Sequence, residues 1–402
     1  MQSRRIHQFR FRGLTVVHDR LPGPITALAL GLRAGARFDG SIPGLAHMAE
    51  HMMFQGTLEL DQLALNHRAA ELGGNHNADT GYETIALTIE VFNEDLDTAL
   101  ELLMDQMYNT SVDPSRFRKE CRVVLDEIRG RQEDPVDALH ERAWRAFFRE
   151  PLGHPICGTI GSVKAMHAAD VSRFIARNFV NANAALGVVG GVSEDALRAA
   201  LARHVSRRRV GRPTSRARIR RGGRGLLRSR NGHGGQSFVA RFIEVDPAPK
   251  NLLALGIALD LVGADPDSHL FQAVRERHGL GYDVSAEIES GPSWAVAVLS
   301  ASAHPGQAQR LRQVIDEVID ASARDGFAAE DLARARKKRR YRYASLAERR
   351  IERALAHTDS ALTGFPSLEE AERTVMRFDD RAVLDAWRRA VRGRSLTAMI
   401  DG

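Results

Sequence analysis

The chemistry-bearing residues of this chain concentrate between 44 and 57. There Gly-Leu-Ala-His-Met-Ala-Glu-His-Met-Met-Phe-Gln-Gly-Thr contains His47-x-x-Glu50-His51. On a helix, histidines four apart stand one turn above each other on the same face. Two neutral imidazoles so placed can reach one metal ion, as histidine-rich zinc sites require. Glu50 lies beside His51 and three residues after His47, where its carboxylate would accept a proton from a metal-bound water without being a ligand. Only three letters are fixed, so the competing reading is a helix that happens to carry two histidines.

Two histidines make half a site, and the elements around them must supply the rest. A long helix is expected from Pro114 to Arg131, with Asp113-Pro114 as its start. Glu120 and Glu127, seven apart, share a face of that helix and are the candidates for a third ligand. Taken alone, with Arg118, Lys119, Arg122 and Arg129 nearby, they would read as a solvated charged face. The stretch Gly73–Thr80 reads as a glycine-rich turn, and His76 in it as a loop residue rather than a fourth ligand. Glu83–Val91 alternates with period two and is β-branched, which predicts a strand. Residues 6–20 alternate as a strand with its turn at Leu21–Pro24, and Ile25–Leu32 is a second, buried strand.

At 402 residues the chain is long enough for two domains of about 200 residues each. Its 43% hydrophobic and 27% charged content is that of a globular protein rather than a disordered or fibrous one. The N-terminus has charges but no apolar run, so a signal peptide is not expected, and no stretch is long enough to span a bilayer. Cys121 and Cys157 are far apart, which gives no metal or redox spacing and fits a cytoplasmic location. The net charge is +6, and the basic excess gathers at arginines 203, 207, 208, 209, 212, 216, 218, 220, 221, 224, 228 and 230. No aromatic residue interrupts that run, so it lacks a base-stacking platform. A solvated linker at 206–232 is favoured over a nucleic-acid site.

The second half repeats the first. Asp170–Arg177 followed by Ala184–Gly190 is echoed by Asp380–Trp387 followed by Ser395–Asp401. The same offset of about 210 residues carries the Glu127 helix onto one around Lys337 and the His47 helix onto Ser268–His278. The expected organisation is therefore domain 1–205, a linker at 206–232, and a homologous domain 233–402. Only the first copy holds metal-type residues.

These residues together resemble the pitrilysin/insulinase-type zinc peptidases, which carry the inverted order His-x-x-Glu-His, in the branch similar to mitochondrial processing peptidase. Gly44–Thr57 resembles the family's zinc helix, Gly73–Thr80 its turn into the substrate strand, and Glu120–Ile128 its third-ligand helix. Gly153–Thr159 and Leu270–Tyr282 match as well. The resemblance implies an α+β fold of two homologous domains, each an antiparallel-rich mixed β-sheet with α-helices packed on one face, the processing-peptidase-like metallohydrolase fold. It implies that His47, His51 and Glu127 hold one Zn2+ per chain, that Glu50 is the general base, and that Glu120 orients a ligand histidine. Asn77 and Ala78 would lie beside the substrate backbone, and the strand Thr80–Val91 would take an extended peptide by strand addition. Arg275 and Tyr282 match the family's distant pair for the substrate carbonyl and the developing oxyanion.

Such domains come four to a working clamshell, so a dimer is implied. Metal motif and Arg/Tyr pair share one chain here, which favours a homodimer in which Arg275 and Tyr282 serve the partner's zinc, with a related subunit as the other arrangement. The function so implied is a zinc metalloendopeptidase for short or unfolded peptides, leader peptides among them. A non-catalytic assembly subunit of a heterodimeric peptidase is the alternative. The loop Gly263–Ser268 departs from the glycine-rich family pattern.

Overall fold

The computed structural model describes residues 6–230, 235–281 and 283–402. In chain order the first half forms β1 (Ile6–Phe11), β2 (Leu14–Arg20), β3 (Ile25–Leu32), α1 (Leu45–Met53), α2 (Gln62–Glu71), β4 (His76–Thr80) and β5 (Ile85–Phe92). It continues with α3 (Leu96–Asn109), α4 (Pro114–Glu133), α5 (Pro135–Phe147), α6 (Ile160–Ala165), α7 (Ala168–Asn178), β6 (Ala184–Gly190) and α8 (Glu194–His204). The second half forms β7 (Gly225–Arg230), β8 (Ser237–Glu244), α9 (Pro249–Leu259), α10 (His269–Phe271), β9 (Val284–Gly291), β10 (Trp294–Ala303) and α11 (Ala308–Asp325). It ends with α12 (Ala329–Glu348), α13 (Arg350–Thr363), α14 (Leu368–Val375), α15 (Asp380–Val391) and β11 (Ser395–Asp401).

The chain divides into two compact units, and each is discontinuous. One holds Met1–Arg129, His154–Arg218 and Leu346–Ser367; the other holds Gly130–Gly153, Ile219–Ser345 and Leu368–Gly402. The boundaries expected from sequence, 1–205 and 233–402 about a linker, are linear and do not follow these divisions. Helix α5 belongs to the second unit and helix α13 to the first. An amphipathic helix carries no mark in its own sequence of which sheet it will cover.

The first unit is built on a six-stranded sheet ordered β1-β2-β6-β3-β5-β4, antiparallel except for β2 with β6. Alternation along β3 sorts its side chains. Leu28, Leu30 and Leu32 enter the main core with Met48, Met52, Leu100 and Leu103 of α1 and α3. Ala27 and Ala29 face the other way, toward Ala354 of α13. The helices thus gather mainly on one face, as expected for this fold class, and α13 takes the small-residue patch opposite. The run 6–20 is a hairpin of two strands, not one, because the chain turns at Arg12-Gly13 with both residues at positive φ.

The second unit has the five-stranded sheet β7-β11-β8-β10-β9. Its order repeats β2-β6-β3-β5-β4 of the first sheet, including one parallel pair, β7 with β11. The echo in sequence is therefore an echo in topology. The stretch taken as a linker is not all loop: Gly225–Arg230 is an edge strand. Several of its arginines are engaged within their own unit. Arg216 pairs with Glu83 at 2.9 Å, Arg221 with Glu244 at 2.7 Å, and Arg209 donates to the Tyr108 carbonyl at 2.9 Å. The helix expected around Lys337 is α12, and α13 follows it after a break at Arg349.

Candidate metal centre

Helix α1 begins at Gly44, whose φ of 90° admits no ordinary side chain without strain. Glycine leaves the helix start without a capping side chain, and Asp39 supplies one from the preceding loop. Its carboxylate accepts from the backbone N–H of Gly44 at 2.7 Å and of Ala46 at 2.8 Å. Leu45, Ala46, Met48, Ala49, Met52 and Met53 are buried and fix the rotation of the helix. That rotation turns His47, Glu50 and His51 to a common side.

Helix α4 crosses beside it. Asp113 caps its start, accepting from the N–H of Ser115 at 2.9 Å and of Arg116 at 3.0 Å. Its buried stripe is Phe117, Glu120, Val124 and Ile128. A glutamate in an apolar stripe needs a partner. Glu120 has His51, whose Nδ1 lies 3.0 Å from Glu120 Oε2. That contact leaves His51 Nε2 as the ring's outward donor atom. Glu127, two turns on, brings its Oε2 to 3.5 Å from His47 Nε2 and 3.8 Å from His51 Nε2.

Among the described residues, His47, His51 and Glu127 are the group whose donor atoms could together hold a metal ion, all lying within 4.8 Å of one another. Two imidazole nitrogens and a carboxylate oxygen, one imidazole oriented by a second carboxylate, make the donor set of a catalytic zinc site with an open position. The residues therefore fit the ion. Glu50 is half-buried and accepts a hydrogen bond from the Thr80 hydroxyl. Burial lifts its carboxyl above the usual range, against the Thr80 hydrogen bond and the nearby His51. Burial disfavours a charged His51 ring, but Glu120 and the charges of Glu50 and Glu127 outweigh it and raise its pKa.

Asn77 and Ala78 lie on β4, which is a strand where a turn was expected. The alternation of His76–Thr80 was hidden because four of its five residues are polar. β5 pairs with β3 on one side and β4 on the other, so strand addition cannot fall to it as expected. The edge strand on that side of the sheet is β4, with β1 at the opposite edge. His76 sits on β4 with Nε2 2.8 Å from Gln106 Oε1, and buried Gln106 also donates to the Met53 carbonyl at 3.0 Å. Arg275 belongs to the second unit, on a π-helical turn after α10. Its side chain is exposed, 3.4 Å from Glu276 and 5.5 Å from the Phe271 ring centroid. Tyr282 lies outside the described residues. Sequence reasoning missed Thr80, Asp39 and Cys157. Thr80 and Asp39 are short polar residues in loop-like surroundings and have no motif of their own.

Two family models cover most of the chain: Insulinase (Peptidase family M16) over residues 15–160 and Peptidase M16 inactive domain over residues 165–339. An uncharacterized zinc protease of Mycobacterium leprae is 30% identical over 325 residues, covering 78% of this chain and 73% of that protein. The uncharacterized zinc protease YmxG of Bacillus subtilis is 24% identical over 324 residues, 80% of this chain and 79% of that one. A solved structure of a Helicobacter pylori protease superposes with a TM-score of 0.90 at 18% identity, covering 99% of this chain and all of that one. A peptidase M16 inactive domain from Pseudomonas fluorescens gives 0.91 at 15% identity, with 98% of each chain covered. The chain belongs to peptidase family M16. The matrix of relatives named zinc proteases supports a peptidase function and a zinc ion, and the two-unit mixed-sheet fold is shared with the solved structures.

Proposed function

We propose that this chain is a zinc metalloendopeptidase acting on short or unfolded peptides, leader peptides among them. The observation that carries the proposal is the convergence of His47, His51 and Glu127 with Glu50 one turn from His47 on the same helix. His47, His51 and Glu127 would hold one zinc ion, which when bound supplies Lewis acidity toward water and the scissile carbonyl. Glu50, with its carboxyl raised by burial, takes the proton of the attacking water and returns it to the leaving amine. Thr80 aims the Glu50 carboxylate, and Glu120 fixes the tautomer of His51 by holding Nδ1. The substrate pairs its backbone with the open edge of β4, beside Asn77 and Ala78, so that affinity depends little on sequence.

The working form is a homodimeric clamshell. Arg275 and Tyr282 of one chain face the zinc of its partner, where Tyr282 donates to the developing oxyanion. The test is hydrolysis of an unstructured peptide by purified protein. Activity is expected to vanish on chelation and to return with one equivalent of zinc per chain. Activity that survives complete removal of metal overturns the proposal. Protein that binds no zinc would support the non-catalytic subunit instead.

A further inference from the structure

The loop from α5 to α6 presses a thiol against the metal centre. Cys157 is buried, with 8% of its surface exposed, and takes part in no disulfide. Its Sγ lies 3.2 Å from Glu127 Oε1 and 3.9 Å from His47 Nε2. The two oxygens of Glu127 are thus divided. Oε2 points at the imidazole nitrogens of His47 and His51, while Oε1 accepts the thiol proton. A thiol has one proton to give, and the His47 nitrogen at the longer distance is the one that faces the metal group. The shorter contact to Glu127 is the hydrogen bond.

The backbone holds the thiol there. A Cβ added to Gly44 would stand 2.8 Å from the Cys157 carbonyl, and one added to Gly158 2.6 Å from that of Pro43, so the loop and the start of α1 touch backbone to backbone. Thr159 and Ser162 then lock the next turn, Ser162 N–H donating to Thr159 Oγ1 at 3.0 Å and Thr159 N–H to Ser162 Oγ at 2.8 Å. The sulfur stands beside the donor group and is not a member of it.

We propose that Cys157 is a positioning residue for Glu127: its thiol holds Oε1, so that Oε2 alone is offered to the ion. The inference rests on the metal-site reading above. The test is zinc affinity, measured by competition with a chromophoric chelator, in the full-length protein and in Cys157→Ala and Cys157→Ser. Thermal unfolding of each variant is followed in parallel. Loss of a group that orients a ligand is expected to weaken zinc binding on the order of tenfold in Cys157→Ala. Serine keeps a donor at the same place, so Cys157→Ser is expected to restore most of the loss. Cobalt-loaded wild type is expected to show no sulfur-to-metal charge-transfer band.

Three results overturn the proposal. Unchanged affinity in Cys157→Ala means that the thiol positions nothing. Equal loss in alanine and serine variants means that the site needs sulfur itself. A charge-transfer band makes Cys157 a ligand. Wild-type protein that binds no zinc sinks the metal site as a whole, which separates that failure from this one.

Discussion

At the scale of single residues, the site is a set of carboxylates kept in different states by their neighbours. Glu120 is buried with His51, Glu127 is shared between the imidazoles and a thiol, and Glu50 is raised by burial and held by Thr80. The hydrogen bond from Thr80 favours the ionised form of Glu50 and opposes burial. Thr80→Val removes the donor and leaves the burial, so the Glu50 carboxyl must rise further. The acid limb of the kcat/KM profile should then move to higher pH by about one unit, the worth of one hydrogen bond to a charged group. A limb that stays in place would mean that Thr80 does not govern Glu50. His47, Glu50 and His51 were legible because helical spacing aligns them on α1, whereas Glu127 stands on another helix and was singled out by the family resemblance. Glu120 shares the face of Glu127, which made it a ligand candidate, and the family resemblance marked it as the partner of a ligand histidine. Thr80 was not, because it reaches Glu50 from another element, and no spacing rule links a strand end to a helix thirty residues away.

At the scale of elements, each must be held by others before the site exists. The sheet beneath the metal helix is closed on its far face by α13, which comes from distant sequence. Asp19 of β2 is fully buried and accepts from Arg353 and from His357, the latter at 2.9 Å. Burial alone would push the Asp19 carboxyl up, but His357 and Arg353 outweigh it and hold it below the ordinary value of 3.8. A carboxyl depressed on folding stabilises the fold above its unfolded pKa, and the contribution is lost as pH falls through the folded one. Asp19→Asn leaves Arg353 with a buried charge and no counter-charge from Asp19. It should cost about 3 kcal/mol at neutral pH and lessen the loss of stability in acid, read by denaturant unfolding. Equal unfolding midpoints would mean that the ion pair does not anchor α13. The strands β2, β3, β5 and β6 were readable from alternation or continuous apolar runs. The edge strands β4 and β7 were not, because strands exposed along one edge carry polar residues and imitate turns and linkers.

At the scale of the whole molecule, the sequence echo proved to be a repeated strand order, with metal-type residues in the first copy. The exchange of α5 and α13 between units was beyond sequence reading, because their apolar faces are interchangeable in kind. If Tyr282 serves the partner's zinc, Glu50→Gln and Tyr282→Phe homodimers should each be impaired. Subunit exchange between them should restore about a quarter of wild-type activity, since half the dimers are mixed and each mixed dimer keeps one intact site. No recovery despite confirmed exchange contradicts the partner arrangement. The central claim, that the full chain is a zinc peptidase driven by Glu50, is met most directly by one rate ratio. Wild type and Glu50→Gln are loaded to equal zinc content and their hydrolysis of one unstructured peptide is compared. The account predicts equal zinc occupancy with hydrolysis slower by about 10²–10⁴ in the variant, the worth of a general base. A Glu50→Gln protein that cleaves at the wild-type rate would contradict it.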